Sequence, residues 1–200
     1  MTSDQTTEQR ILEAAKAVFF EKGLNGARMQ EIADKAGINK ALVHYYFRSK
    51  DKLFSAIFEE VSSRVFGRFI AIFRSQDTLE HKIRTFCSAY IDEGISSPYL
   101  LSFLFNEINR NPRVIFQQLK GKTNPFMLLR DELTAEIEKG SIRAVNPVNL
   151  LLNILSLCAF PIIAKPLLLN AFHIGEQGYL DLMAERKKEV ADIIIQYINK

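Results

Sequence analysis

Residues 28–47 read RMQEIADKAGINKALVHYYF, and residues 48–54 continue RSKDKLF. Two short helices joined by a tight turn account for this pattern. The first, about Met29 to Ala36, places Ile32, Ala33 and Ala36 on one inward face. Gly37-Ile38 turns the chain, and Asn39 offers a side-chain oxygen to the free N–H groups of a second helix, about Lys40 to Phe47. Val43 and Phe47 point inward at helical spacing, which leaves Lys40, Ala41, Leu42, His44, Tyr45 and Tyr46 outward. The pair has the form of a helix-turn-helix, whose second helix fits a DNA major groove about 12 Å wide.

The charge distribution agrees. The 200 residues carry a net charge of only +3. Residues 35–52 hold Lys35, Lys40, Arg48, Lys50 and Lys52 against Asp51 alone, a net of +4. Residues 1–34 come to −2, and residues 53–200 to +1. One window of 18 residues therefore exceeds the whole excess, as an electrostatic footprint for phosphates requires. A solvated helix face would explain the charge alone, but not the aromatic run beside it.

Helical signals dominate the rest of the chain. Thr6 with Gln9 reads as a capping box for a helix through Ile11, Ala15, Val18 and Phe19, which Gly23 closes. Ser49 caps a long helix from about Lys50 to Arg74, with Phe54, Phe58, Val61, Val65, Phe69 and Ile72 on one stripe. Asp77 and Glu80 open the next, through Ile83, Phe86 and Tyr90. Four later helix starts pair a capping residue with proline: Ser97-Pro98, Asn111-Pro112, Asn124-Pro125 and Asn146-Pro147. Gly140 ends the helix begun at Pro125, and a last helix runs from about Glu176 to Asn199. The expected fold is all-α, with about ten helices: a three-helix head carrying the helix-turn-helix, and a larger helical body.

With these residues in place, the segment resembles the helix-turn-helix of TetR-family transcriptional regulators. The matching positions are Ile32-Ala33, Ala36-Gly37-Ile38, Lys40, Tyr45, Phe47, Ser49-Lys50 and Leu53, and AKAVFFEKGLNGA at 15–27 fits the family's first helix and loop. The similarity covers about residues 8–58. It implies a homodimeric repressor with a DNA-binding domain, residues 1–48, and a ligand-binding and dimerisation domain, residues 49–200. It also implies binding to a pseudo-palindromic operator and release by a small effector. Carried over by position, DNA contacts fall on Arg28, Gln30, Lys40, Ala41, Leu42, His44, Tyr45, Tyr46 and Lys50. The chain departs from the family at Arg28, where a capping Thr is usual, at His44, a usual Tyr position, and at Tyr46, a usual His position.

The body supplies two further expectations. The helix from Pro147 is apolar nearly all round, and the last helix adds an apolar side, so two copies should pair these helices into a four-helix bundle. The interface residues are then Leu151, Leu155, Met183, Val190, Ile194 and Tyr197. Phe86, Tyr90, Phe103, Phe126 and Phe160, with Asn106 and Asn153 as polar groups, would wall a cavity for an uncharged or largely apolar effector. A solid core is the competing reading.

Other chemistries find little support. Gly121-Lys122-Thr123 lacks the glycine five residues upstream that a phosphate-binding loop needs, since position 116 is Phe. His44, His81 and His173 have no metal-ligand spacing, so neither metal nor cofactor is expected. Cys87 and Cys158 sit on apolar helix faces as core residues. The apolar stretch Leu150 to Leu169 is interrupted by Asn153, Pro161, Lys165 and Pro166, and the first residues are polar, so a cytoplasmic protein without a membrane span is expected. A hydrophobic-ligand carrier without DNA binding is the alternative, ahead of an α-helical enzyme.

Overall fold

In the computed structural model the described residues are 6–97, 100, 101, 103, 109, 112, 113 and 123–200. Among them the secondary structure is entirely helical. The chain separates into two compact units: one contains residues up to 64 together with Phe103, and the other contains residues 65–101 and 123–200.

The first unit opens with α1, Thr7–Gly26. The Thr6 hydroxyl accepts the Gln9 N–H and the Gln9 carboxamide accepts the Thr6 N–H, so the capping box forms as expected. Gly23 has φ 67 and interrupts the helix; a last turn follows it to Gly26. α2 is Met29–Ala36, and Arg28 before it provides no side-chain cap. Gly37 takes φ 65 and ψ 37, a left-handed conformation that suits glycine. α3 is Lys40–Phe47, started by Asn39, whose side chain accepts the Leu42 N–H at 2.8 Å. α4 is Lys50–Arg74; Leu53, Phe54, Ile57, Phe58 and Val61 in its first half are buried in this unit. Phe54 lies edge-on to Phe19 with ring centroids 5.5 Å apart, and Phe103 approaches Phe54 at 5.4 Å and Phe20 at 5.1 Å.

The second unit takes the rest of α4 and five more helices: α5 (Leu79–Ser96), α6 (Pro125–Glu138), α7 (Pro147–Ile163), α8 (Lys165–Ala171) and α9 (Glu176–Ile198). Thr78, rather than Asp77, caps α5 by accepting the His81 N–H. The Asn-Pro starts of α6 and α7 form as read, with Asn124 and Asn146 side chains accepting the first free N–H groups. Gly140 turns the chain after α6 at φ 71. The starts at Ser97-Pro98 and Asn111-Pro112 lie partly outside the described residues.

Helices α5, α7 and α9 enclose the core, with Phe86, Ile91, Ile154, Cys158, Met183 and Val190 at its centre. Both cysteines are buried; the adjoining Cys87 thiol, then burial, push the Cys158 thiol up. Pro161 inside α7 has no N–H, so the Leu157 carbonyl lacks its helical partner. Arg186 of α9 fills that vacancy, donating Nε at 3.2 Å and Nη2 at 3.1 Å to Leu157 O. No single helix among the described residues is long and apolar enough to cross a membrane; α7 and α8 together are, but are bent by 67°.

The closest approach of α5 to α7 is at Gly94, where an added Cβ would lie 2.2 Å from Ile162 Cδ1 and 3.1 Å from Cγ2. Gly94→Ala should therefore destabilise the protein by about 1–3 kcal/mol despite alanine's better helix propensity. Ile162→Val in the same chain should recover part of that loss. Urea titration of the two variants and the double variant checks both statements.

Candidate nucleic-acid interface

Two buried side chains, Val43 and Phe47, anchor α3 and decide which face it presents. Lys40, Ala41, His44, Tyr45 and Tyr46 are exposed, whereas Leu42 is half-buried. Tyr45 is 73% exposed, and its ring meets that of Tyr46 edge-on at 5.5 Å. So large an aromatic surface is costly on a plain exterior and suits contact with base edges and sugars. Lys40 and Arg48 have no acidic partner among the described residues, so their charges remain available to phosphate. Arg28 and Gln30 are exposed at the start of α2, with the Gln30 amide donating to Asp34 of the same helix at 2.8 Å.

Three acids of this unit lie together on another face. A groove of about 590 Å³ between α1 and α4 is lined by Glu8, Glu13 and Glu60, among others. Lys16 bridges Glu13 at 2.8 Å and Glu60 at 2.6 Å. Burial opposes the charge on that lysine, but the two carboxylate hydrogen bonds outweigh it and raise its pKa.

The junction after α3 is tight. Arg48 has φ 59 and ψ −46, and the Ser49 N–H returns to Phe47 O at 2.5 Å, a γ-turn that is strained for a residue with a side chain. His44 Nδ1 lies 3.3 Å from Arg48 O, so this ring also tethers the turn. Lys50 is half-buried, and its ammonium donates to Ala27 O at 3.0 Å. The ammonium is thus engaged with backbone 23 residues away, a contact that no local pattern announces.

Residues 11–57 match the model of the bacterial regulatory proteins of the tetR family. The head is a tetR-family domain. The HTH-type transcriptional repressor SCO4008 of Streptomyces coelicolor is 33% identical over 103 residues, 52% of this chain and 50% of that protein. The chain thus spans about half the length of that relative. Likeness in fold extends further than likeness in sequence. The Streptomyces coelicolor protein SCO4942 superposes with a TM-score of 0.71 at 21% identity, over 96% of this chain and 98% of that one. The regulator FadR of Bacillus subtilis, solved with stearoyl-CoA, gives 0.67 at 18% identity, over 95% and 98%.

Of the residues singled out for an effector, Phe86, Tyr90, Phe126, Asn153 and Phe160 belong to the second unit. Phe86 and Tyr90 are buried against Phe69 at 4.8 and 5.9 Å, and burial pushes the Tyr90 phenol up. Phe126 is half-buried against Phe66. Phe103 belongs to the head unit, with Phe20 and Phe54. Phe160 is 60% exposed on α7. Asn153 is exposed too, beside a groove of about 290 Å³ lined by Ser156, Leu157, Ile193, Ile194 and Tyr197. Asn106 lies outside the described residues.

The residues chosen for the dimer interface also divide. Met183, Val190 and Ile194 are buried within the single chain and are closed to a partner. Leu151 and Leu155 are half-buried, and Tyr197 is exposed beneath the Arg143 guanidinium. The large apolar residues that do face outward are Val148, Leu152, Phe160 and Ile163 on α7, and Leu180, Leu182, Ile193 and Tyr197 on α9. The error is one of rotation: α9 buries both of its ends and its middle through a stripe one position away from the outward one.

Proposed function

We propose that this chain is a DNA-binding transcriptional regulator, a ligand-responsive repressor that acts as a homodimer on a pseudo-palindromic operator in the cytoplasm. The observation that carries the reading is the acid-free α3 face, with Lys40, His44, Tyr45 and Tyr46 exposed on a tetR-family head. In this reading Arg28, Gln30, Lys40, Ala41, Leu42, His44, Tyr45, Tyr46 and Lys50 meet DNA. Residues 1–48 serve recognition, and residues 49–200 serve ligand binding and pairing. The outward α7 and α9 side chains named above form the interface with a second copy. The effector is a largely apolar small molecule; the long acyl chain of the stearoyl-CoA in the structure of FadR, a protein of the same fold, supports that choice. No catalytic step is part of this function. For ligand binding to release DNA, the effector must favour one arrangement of the paired heads over another.

The test is binding of the purified chain to duplex from its own upstream region, read by fluorescence anisotropy at several salt concentrations. Lys40→Ala should weaken binding to every sequence alike and reduce the salt slope by about one unit. Tyr45→Ala should lower affinity, and His44→Ala should change sequence preference more than affinity. Wild-type behaviour in all three variants would remove α3 from the interface. Long-chain acyl-CoA added to the same assay reads out the effector response.

A further inference from the structure

Cations from outside the helix-turn-helix hold the backbone just ahead of helix α2 and at its C-terminal end. Ahead of it, Lys50 of α4 holds Ala27 O. At its end, Arg10 of α1 donates Nη2 to Ala36 O at 2.6 Å and, more weakly, to Gly37 O at 3.4 Å. These carbonyls belong to the last turn of α2 and to the left-handed residue that redirects the chain into α3. Helix ends leave carbonyls without intrahelical partners, and a guanidinium satisfies two with one rigid group. Gly37 makes the approach possible as well as the turn, because a Cβ there would lie 3.1 Å from Arg10 Nη2. Arg10 has no acidic partner among the described residues, and its guanidinium is held by these carbonyls.

We infer that Arg10 is a positioning residue for DNA recognition: it fixes the α2–α3 turn, and so the seat of the N-terminal half of α3, through the Ala36 and Gly37 carbonyls. The residue acts through the turn and makes no base contact. The assignment rests on the DNA-binding reading above and adds to it a residue 18 positions before the helix-turn-helix begins.

A positioning residue and a phosphate contact differ in what they change. A lost phosphate contact lowers affinity for all sequences together and reduces the salt slope by about one unit. A loosened turn lowers only the binding that needs α3 correctly seated. The experiment uses the full chain, a duplex enriched from a random pool by the wild-type protein, and a scrambled duplex of equal length and composition. Arg10→Gln should lose about tenfold in affinity for the enriched duplex, the scale of one charge-assisted hydrogen bond. Its affinity for the scrambled duplex and its salt slope should stay at wild-type values. Arg10→Lys should recover part of the loss, since an ammonium still donates to Ala36 O. In the free protein, hydrogen exchange at Gly37 to Leu42 should be faster in Arg10→Gln, while amides at the centre of α1 exchange as in wild type. A parallel fall on both duplexes with a smaller salt slope would overturn the assignment in favour of a phosphate contact. Unchanged specific affinity or unchanged exchange at the turn would also overturn it. A wild-type chain that enriches no sequence removes the DNA reading, and this assignment with it.

Discussion

Phe54→Ala should cost about 3–5 kcal/mol, a large part of the 5–15 kcal/mol that holds a typical domain together. The ring is 1% exposed and has three aromatic neighbours: Phe19 at 5.5 Å, Phe103 at 5.4 Å and Phe58 at 6.3 Å. Phe58 is held on the same helix, and Phe19 and Phe103 are anchored far away in the chain, so collapse around an empty site is limited and most of the cavity would persist. Denaturation followed by circular dichroism reads the cost. The chain has two compact units, so the transition to follow is the one that also shifts on a second head substitution such as Ile32→Ala. A change below about 1 kcal/mol would contradict the packing around Phe54.

Ile194→Glu should be at least as damaging, whereas Ile193→Glu should leave the fold intact. Ile194 is 2% exposed and sits in the core with Met183 and Val190; Ile193 is 45% exposed. A carboxylate at position 194 must ionise without a partner or stay protonated at a cost, and more than about 4 kcal/mol of destabilisation is expected. At position 193 the charge reaches solvent in the free chain, with a change within about 0.5 kcal/mol. Its effect belongs to association: Ile193→Glu should shift sedimentation toward monomers, together with Leu152→Glu on α7. A soluble, fully folded Ile194→Glu chain would show that the stripe has been read on the wrong side.

The pair contrasts what the sequence discloses with what it conceals. The helices of the head are marked by short-range chemistry: Thr6 with Gln9, Gly37 and Asn39 specify caps and a turn within three or four residues of themselves. Their boundaries at Met29, Ala36, Lys40 and Phe47 are accordingly found where the pattern puts them. The faces of α7 and α9 are not marked in this way. Successive residues on a helix differ by about 100°, so Ile193 and Ile194 are equivalent in hydropathy and nearly opposite in fate. In α7, apolar side chains occupy most of the circumference, and periodicity loses its power to choose. Long-range partners are hidden for a different reason. Nothing near Arg10 announces carbonyls 26 residues away, and nothing near Phe103 announces Phe20.

Phe103 has a consequence for the chain as it is made. The ring that closes the aromatic cluster of the head is encoded 39 residues beyond Arg64, the last of the contiguous residues in that unit. At about 5–20 residues per second, a ribosome needs roughly 2–8 s to cover this distance. During that interval α1 to α3 and the first half of α4 have been synthesised, but Phe20 and Phe54 lack their last neighbour. The head of the nascent protein therefore finishes folding late, after the whole of α5 has been added.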